Sequence, residues 1–151
     1  MADALALDPD RVRPIAFGVD HEELRPTGTE ATGPFLAVGR DRGRDWPTLL
    51  AALRATALPT QILCRPADLR GLDVPSNVEV VGMVDRSRYR HLLHRARGVL
   101  VPTQVLGYPT GQSVLLEAMA CARPVIVTDT PALVEYVEPG RTALTVPAGD
   151  V

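Results

Sequence analysis

Short apolar runs recur along the chain, separated by segments whose apolar positions fall at helical spacing. The first run, FLAVG at 35–39, ends in glycine and passes into the charged GRDRGRD. Runs this short, rich in branched residues and bounded by turn residues, predict strands buried on both faces of a parallel sheet. QILC at 61–64, VEVVG at 78–82, GVLV at 98–101, PVIV at 124–127 and ALTV at 143–146 predict five more. After the first strand, Asp45 is placed to cap a helix whose first turn holds Pro47, with Leu49, Leu50, Leu53 and Leu58 as its buried side. A second helix over 86–97 begins at Asp85 or Ser87 and carries an apolar stripe of Tyr89, Leu92, Leu93 and Ala96; a third is predicted over 112–120. Strands alternating with helices predict an α/β, Rossmann-like domain with a doubly wound, mostly parallel sheet.

The ends of the chain do not follow this alternation. Residues 2–33 read as a short helix, an extended VRPIAFG and a polar HEELRPTGTEATGP, so 1–33 is expected to be an arm and 34–151 the compact domain. PAGDV closes the chain with no helix after the last strand, so the domain is expected to lack final helices and to leave one sheet face poorly covered, or covered by another segment.

Composition narrows the chemistry. The 151 residues make about one domain. The 16 basic and 18 acidic residues leave a formal charge of -2, so no overall field draws the chain to nucleic acid. All the basic residues are arginine, which excludes a lysine Schiff base, a GxxxxGK[ST] phosphate loop and a kinase lysine. Cys64 and Cys121 have no partner at metal-ligand spacing, and His21, His91 and His94 form no HExxH, so no metal site is expected. No GxSxG elbow is present. No signal-peptide core and no run of roughly 18 apolar residues occurs, and the expectation is a cytoplasmic chain with no transmembrane segment.

In such a fold, ligands sit outside the carboxyl ends of the strands, which directs attention to the loops there. Gly39, Arg40, Gly43 and Arg44 follow the first strand. GRDRG does not match GxGxxG; it reads either as a glycine and arginines for a phosphate or carboxylate, or as a solvated turn. YPTGQS at 108–113 places Gly111 immediately before the third helix, so the free amides of Gln112, Ser113 and Val114 form an anion-attracting turn; alternatively Ser113 only caps the helix. Glu117 lies one turn deeper on the same face, the one charge in an apolar helix, suited to accept ligand hydroxyls or else simply exposed. Thr128, Asp129 and Thr130 follow the next strand and read equally as substrate contacts or turn residues. The arginines at 86, 88, 90, 95 and 97 read as a solvated helix face.

The segment GQSVLLEAMACARPVIVTDTPALVEYVEPGRTALTVPAGD resembles the donor-binding, C-terminal half of retaining glycosyltransferases of the two-domain GT-B type, the large family 4-like, group 1 class sharing EGFGxxxLEAMAxGxPVI…PxGD with its EX7E-type donor site. RVRPIAFGVD resembles that family's interdomain segment and FLAVGRDRGRDWPTLLAAL its first strand and helix. The resemblance implies a nucleotide-diphosphate sugar, UDP-, GDP- or ADP-linked, as donor substrate and no tightly bound cofactor. Glu117 would hold the ribose hydroxyls, the amides around Gly111, Gln112, Ser113 and Val114 the diphosphate, and Arg40, with Gly39 and Arg44 beside it, would neutralise it. Val81, Gly82 and Met83 would meet the base. Arg40 and Glu117 are thus the implied catalytic residues of a hexosyltransferase-like enzyme. An acceptor-binding domain, separately encoded or replaced by a homo-oligomer covering the exposed face, would be needed for activity. The pattern departs at Pro109, where the family's first glutamate falls, and at Ala122, where it has glycine. The alternative is a non-catalytic nucleotide-binding or assembly module that retains the fold.

Overall fold

The computed structural model describes residues 11, 13 and 15–151, and the predicted opening helix falls largely outside them. Six strands form one sheet: β1 (Phe35–Val38), β2 (Thr60–Leu63), β3 (Val78–Val80), β4 (Val99–Val101), β5 (Val125–Thr128) and β6 (Leu144–Val146). Every pairing is parallel and the order is β3-β2-β1-β4-β5-β6, with Leu36 opposite both Gln61 and Val99. This is the doubly wound Rossmann order, and its direction of winding reverses between β1 and β4. The two adjacent central strands therefore send their following loops to opposite sides and open a crevice between them.

Three helices cover the sheet. Asp45 caps α1 (Trp46–Thr56) through Thr48 N at 3.2 Å and Thr48 Oγ1 at 2.8 Å, with Pro47 in the first turn. Leu49, Leu50 and Leu53 are buried on its inner side as predicted. Leu58 is not part of the helix: Ala57 turns left-handed at φ 53°, and Pro59 drives the preceding residue to extended backbone. Leu58 nonetheless packs on the α1 cluster from the loop. α2 (Arg86–Arg95) is capped by Asp85, which accepts from Arg88 N at 2.7 Å, so Asp85 and not Ser87 starts it. It stops short of 97 because Arg97 N is drawn to Pro34 O at 3.3 Å, on the way into β4. α3 (Gln112–Ala120) follows β4 and spans the predicted residues.

The core lies in two layers. Leu93, Leu115, Val99 and Leu133, all at 0 % exposure, join α2 and α3 to one sheet face, where truncating a leucine to alanine costs about 2–5 kcal/mol. Leu53, Ile62 and Trp46 join α1 to the other. Beyond α1 that second face is open: an apolar recess of about 220 Å³ is lined by Leu53, Leu100, Ile126 and Val146, and Leu144 on β6 is 59 % exposed.

The polar segment ahead of β1 is laid along α2. Leu24 is 3 % exposed in the core cluster, and Gly33 N donates to Arg95 O at 2.9 Å. Glu23 accepts two hydrogen bonds from Arg86 Nε at 2.8 Å and one from Nη2 at 2.6 Å. The arginine row of α2 is thus a largely exposed face, as expected, but its first member is held by the arm.

Candidate functional site

At the carboxyl ends of β1 and β2, against the start of the helix that follows β4, lies a cleft of about 560 Å³. Its floor is Val38 and Leu63, the last residues of β1 and β2. One wall is the loop after β1, with Gly39, Arg40, Asp41 and Arg44; another is the start of α3, with Ser113, Val114 and Glu117. Met83, Val84, Arg86 and Tyr89 close the third side, from the end of the β3 loop and the first turn of α2.

Seven of the residues singled out in the sequence therefore meet in one cavity, although they come from three separate segments. Gly111 and Gln112, just ahead of Ser113, do not line it, and of the segment 81–83 only Met83 forms part of the wall. Val81 instead packs into the α2–α3 core, its N–H bonded to Ile62 O at 3.0 Å.

The start of α3 has the form an anion site needs. Gly111, at φ 92°, turns the chain into the helix without a side-chain cap, and the first backbone bond is Leu115 N to Gly111 O at 3.0 Å. Among the described residues the N–H groups of Gln112, Ser113 and Val114 have no hydrogen-bond acceptor. Ser113 is exposed and caps nothing. Unsatisfied amides at the positive end of a helix dipole attract negative charge.

The two arginines of the β1 loop have different surroundings. Arg40 is exposed; its carbonyl accepts from Arg65 Nη2 at 3.0 Å, and its guanidinium has no protein partner among the described residues. Arg44 is 5 % exposed and engaged: Nε donates to Val38 O at 2.9 Å, Nη1 donates to Thr110 Oγ1 at 2.7 Å, and Asp41 lies 3.1 Å away. Thr110 in turn donates to Asp41 Oδ1 at 2.8 Å. This network ties the end of β1 to the residue before the Gly111 turn, fixing two cleft walls relative to one another. Burial draws the Arg44 pKa down from its ordinary value and Asp41 opposes this; an arginine remains charged throughout.

Glu117 is half-buried on α3, and its Oε2 accepts from the Tyr89 hydroxyl at 2.6 Å. Burial, and next the charge of Glu117, push the Tyr89 phenol well above its ordinary pKa, so it remains a proton donor. Thr128 and Thr130 lie outside the cleft: Thr128 Oγ1 accepts from Thr103 N at 2.9 Å, and Thr130 O accepts from Leu133 N at 2.9 Å in a turn. Pro109 faces a neighbouring surface groove, also outside it. Among the described residues no group of three or more His, Cys, Asp or Glu is placed to hold a metal, and no helix is long and apolar enough to cross a membrane.

Asp41, Arg86 and Tyr89 line the cleft without a motif to mark them. A signal was nevertheless present: α2 begins at Asp85, just after a strand, so its first-turn residues stand at the carboxyl edge of the sheet, and 86 and 89 share a helix face.

Comparison with known proteins bears on the family and the fold. A family model described as glycosyl transferases group 1 matches residues 37–151. The α-maltose-1-phosphate synthase of Mycolicibacterium smegmatis (strain ATCC 700084 / mc(2)155) is 32 % identical over 171 residues, covering 93 % of this chain and 43 % of that protein. Crystal structures of Anabaena Alr3699/HepE superpose on it with a TM-score of 0.75 for the UDP complex (17 % identity) and 0.74 for the UDP-glucose complex (16 % identity). Each superposition covers 98 % of this chain and 47 % of the Anabaena protein. The chain thus spans less than half the length of these relatives. The superpositions bear out the expected Rossmann-like half of a GT-B architecture. By the extent of the family match, the chain belongs to the group 1 glycosyl transferases.

Proposed function

We propose that residues 34–151 are the donor-binding domain of a glycosyltransferase that takes a nucleotide-diphosphate sugar, with 1–33 as the arm leading from an acceptor-binding domain. The observation that carries this reading is the meeting, in one cleft at the β1/β4 switch point, of the uncapped α3 amides, the unpaired guanidinium of Arg40 and the Glu117 carboxylate. The amides of Gln112, Ser113 and Val114 and the Arg40 guanidinium bind the diphosphate; Glu117 accepts the ribose hydroxyls; Met83 bounds the base. The α-maltose-1-phosphate synthase relative and the UDP and UDP-glucose complexes of HepE support a nucleotide-linked sugar as the ligand class.

The chemistry is glycosyl transfer with retention. The bond from the anomeric carbon to the diphosphate oxygen breaks, the acceptor hydroxyl oxygen takes its place on the same face, and its proton passes to the departing diphosphate oxygen. The departing diphosphate carries the developing negative charge. The α3 amides, fixed by the helix, are preorganised donors for that charge, and the Arg40 guanidinium is free to turn onto it. Transfer requires an acceptor held against the donor, which is the part of an acceptor-binding domain or of a second copy of the chain.

Titration calorimetry of the chain with UDP, GDP and ADP, repeated with Arg40→Ala and Glu117→Ala, tests the reading. Binding of at least one nucleotide, weakened in both variants, is expected; a folded chain that binds none of the three overturns it. Pro109, at the place where the family pattern has a glutamate, favours a second reading as a binding module without turnover. In that reading UDP-glucose binds no tighter than UDP.

A further inference from the structure

Two walls of the cleft meet in a dyad that no motif marks. Tyr89 stands in the first turn of α2, packed against the core, and reaches across to α3 to donate its hydroxyl proton to Glu117 Oε2 at 2.6 Å. Both side chains line the same cavity. Among the described residues Tyr89 is the carboxylate's hydrogen-bond partner, so Oε1 is left with its acceptor capacity unused. A glutamate side chain has three rotatable bonds, and on a helix where Glu117 is flanked by Leu116 and Ala118 no other hydrogen bond among the described residues fixes it. A charge-assisted bond of this length both fixes the rotamer and partly compensates the carboxylate for lost water.

We propose that Tyr89 is a positioning residue that orients Glu117 to recognise a vicinal diol, the two hydroxyls of a ribose, through Oε1 and the free lone pair of the tyrosine oxygen. The inference rests on the donor-site reading above and adds to it the source of ribose selectivity. The phenol has a single proton, which is committed to Oε2; both exposed oxygens of the dyad are therefore acceptors, and a ligand must present donors to both. A ribose does so with its 2′- and 3′-hydroxyls, and a deoxyribose leaves one acceptor unsatisfied in a half-buried site. Missing a donor against a buried acceptor is penalised more than gaining one is rewarded.

The test is nucleotide binding to the chain by calorimetry, comparing UDP, GDP and ADP with their 2′-deoxy and 3′-deoxy counterparts. Wild type is expected to prefer the ribonucleotide by roughly tenfold. In Tyr89→Phe, which keeps the ring and its packing, that preference is expected to fall to about threefold or less, with the ribonucleotide weakened more than either deoxynucleotide. Glu117→Gln should abolish the preference, and adding Tyr89→Phe to it should change nothing more. A thermal melt of each variant confirms folding. Equal weakening of ribo- and deoxynucleotides in Tyr89→Phe, the result of a merely structural role, overturns the inference, as does an unaltered preference or a wild type without one. Failure of every nucleotide to bind overturns the donor-site reading and this inference together; the other failures leave the donor site standing.

Discussion

Gly39 and Arg44 occupy one another's space: a Cβ built on Gly39 would lie 2.4 Å from Arg44 Cγ and 2.5 Å from its Nε. The guanidinium reaches Val38 O only by passing over this bare Cα. Gly39→Ala is therefore expected to destabilise by about 1–3 kcal/mol, since Arg44 is anchored at both ends and cannot swing aside without giving up Val38 O and Thr110. Urea denaturation followed by circular dichroism checks it; a midpoint equal to wild type would mean the arginine has another place to go.

The neighbouring arginines separate stability from binding. Arg44→Lys keeps the charge but has no fork to span Val38 O and Thr110, leaving a buried acceptor without its donor at a cost of about 1–3 kcal/mol. Arg40→Ala removes an exposed side chain and should leave the melting curve unaltered. Nucleotide diphosphate affinity should drop by about tenfold in Arg40→Ala, with a salt dependence shallower than that of wild type. The pair is read by running thermal melts and titrations on both variants; a large melting shift in Arg40→Ala would contradict the assignment.

Periodicity located all six strands and all three helices to within a residue or two at most ends, because branched runs and capped apolar stripes are local signals that this fold obeys. The same logic brought Gly39, Arg40, Ser113 and Glu117 to one end of the sheet. It did not reveal what those residues touch. Arg44 reads as a ligand group beside Arg40, yet its partner Thr110 is 66 residues away. Tyr89 reads as one more apolar-stripe residue, and its hydroxyl meets a carboxylate 28 residues on. Glu23 supplies the acid that the arginine row of α2 lacks, from a segment with no periodicity at all. Spacing within an element states which residues share a face; which side chain from another element arrives there is set by the packing of helices on the sheet.

Alkaline conditions should weaken the fold through its buried thiols and phenol. Burial, with Asp68 next, pushes Cys64 up from 9.0 to about 11, and burial raises Cys121 as well. The folded state therefore favours the protonated thiol. That contribution is complete below the unfolded value of 9.0 and is lost as pH climbs through the folded value of about 11. Tyr89, raised in the same sense, adds to the loss above its ordinary 10.0. Urea midpoints should hold steady below pH 9.0 and fall above it, and neither thiol should react with an aromatic disulfide reagent in the native chain at about pH 8. Rapid labelling of a thiol without denaturant would show that the burial is incomplete.

Ala122 is held left-handed at φ 54°, just past the end of α3. Its N–H bonds Met119 O at 2.9 Å and the next N–H, from Arg123, bonds Ala118 O at 2.9 Å, the paired closure of a helix that ordinarily ends in glycine. The departure noted in the sequence, alanine where the family pattern has glycine, thus falls at a position whose backbone penalises a Cβ. A non-glycine residue there costs about 1–2 kcal/mol, and the added unfolded-state freedom of glycine returns part of it. Ala122→Gly is expected to stabilise by about 0.5–1 kcal/mol, raising the melting temperature by about 2–3 °C. Since Ala122 is exposed and lies at the opposite end of α3 from the cleft, nucleotide affinity should not change. A lower melting temperature would mean that the Ala122 methyl makes a contact worth more than the strain it causes.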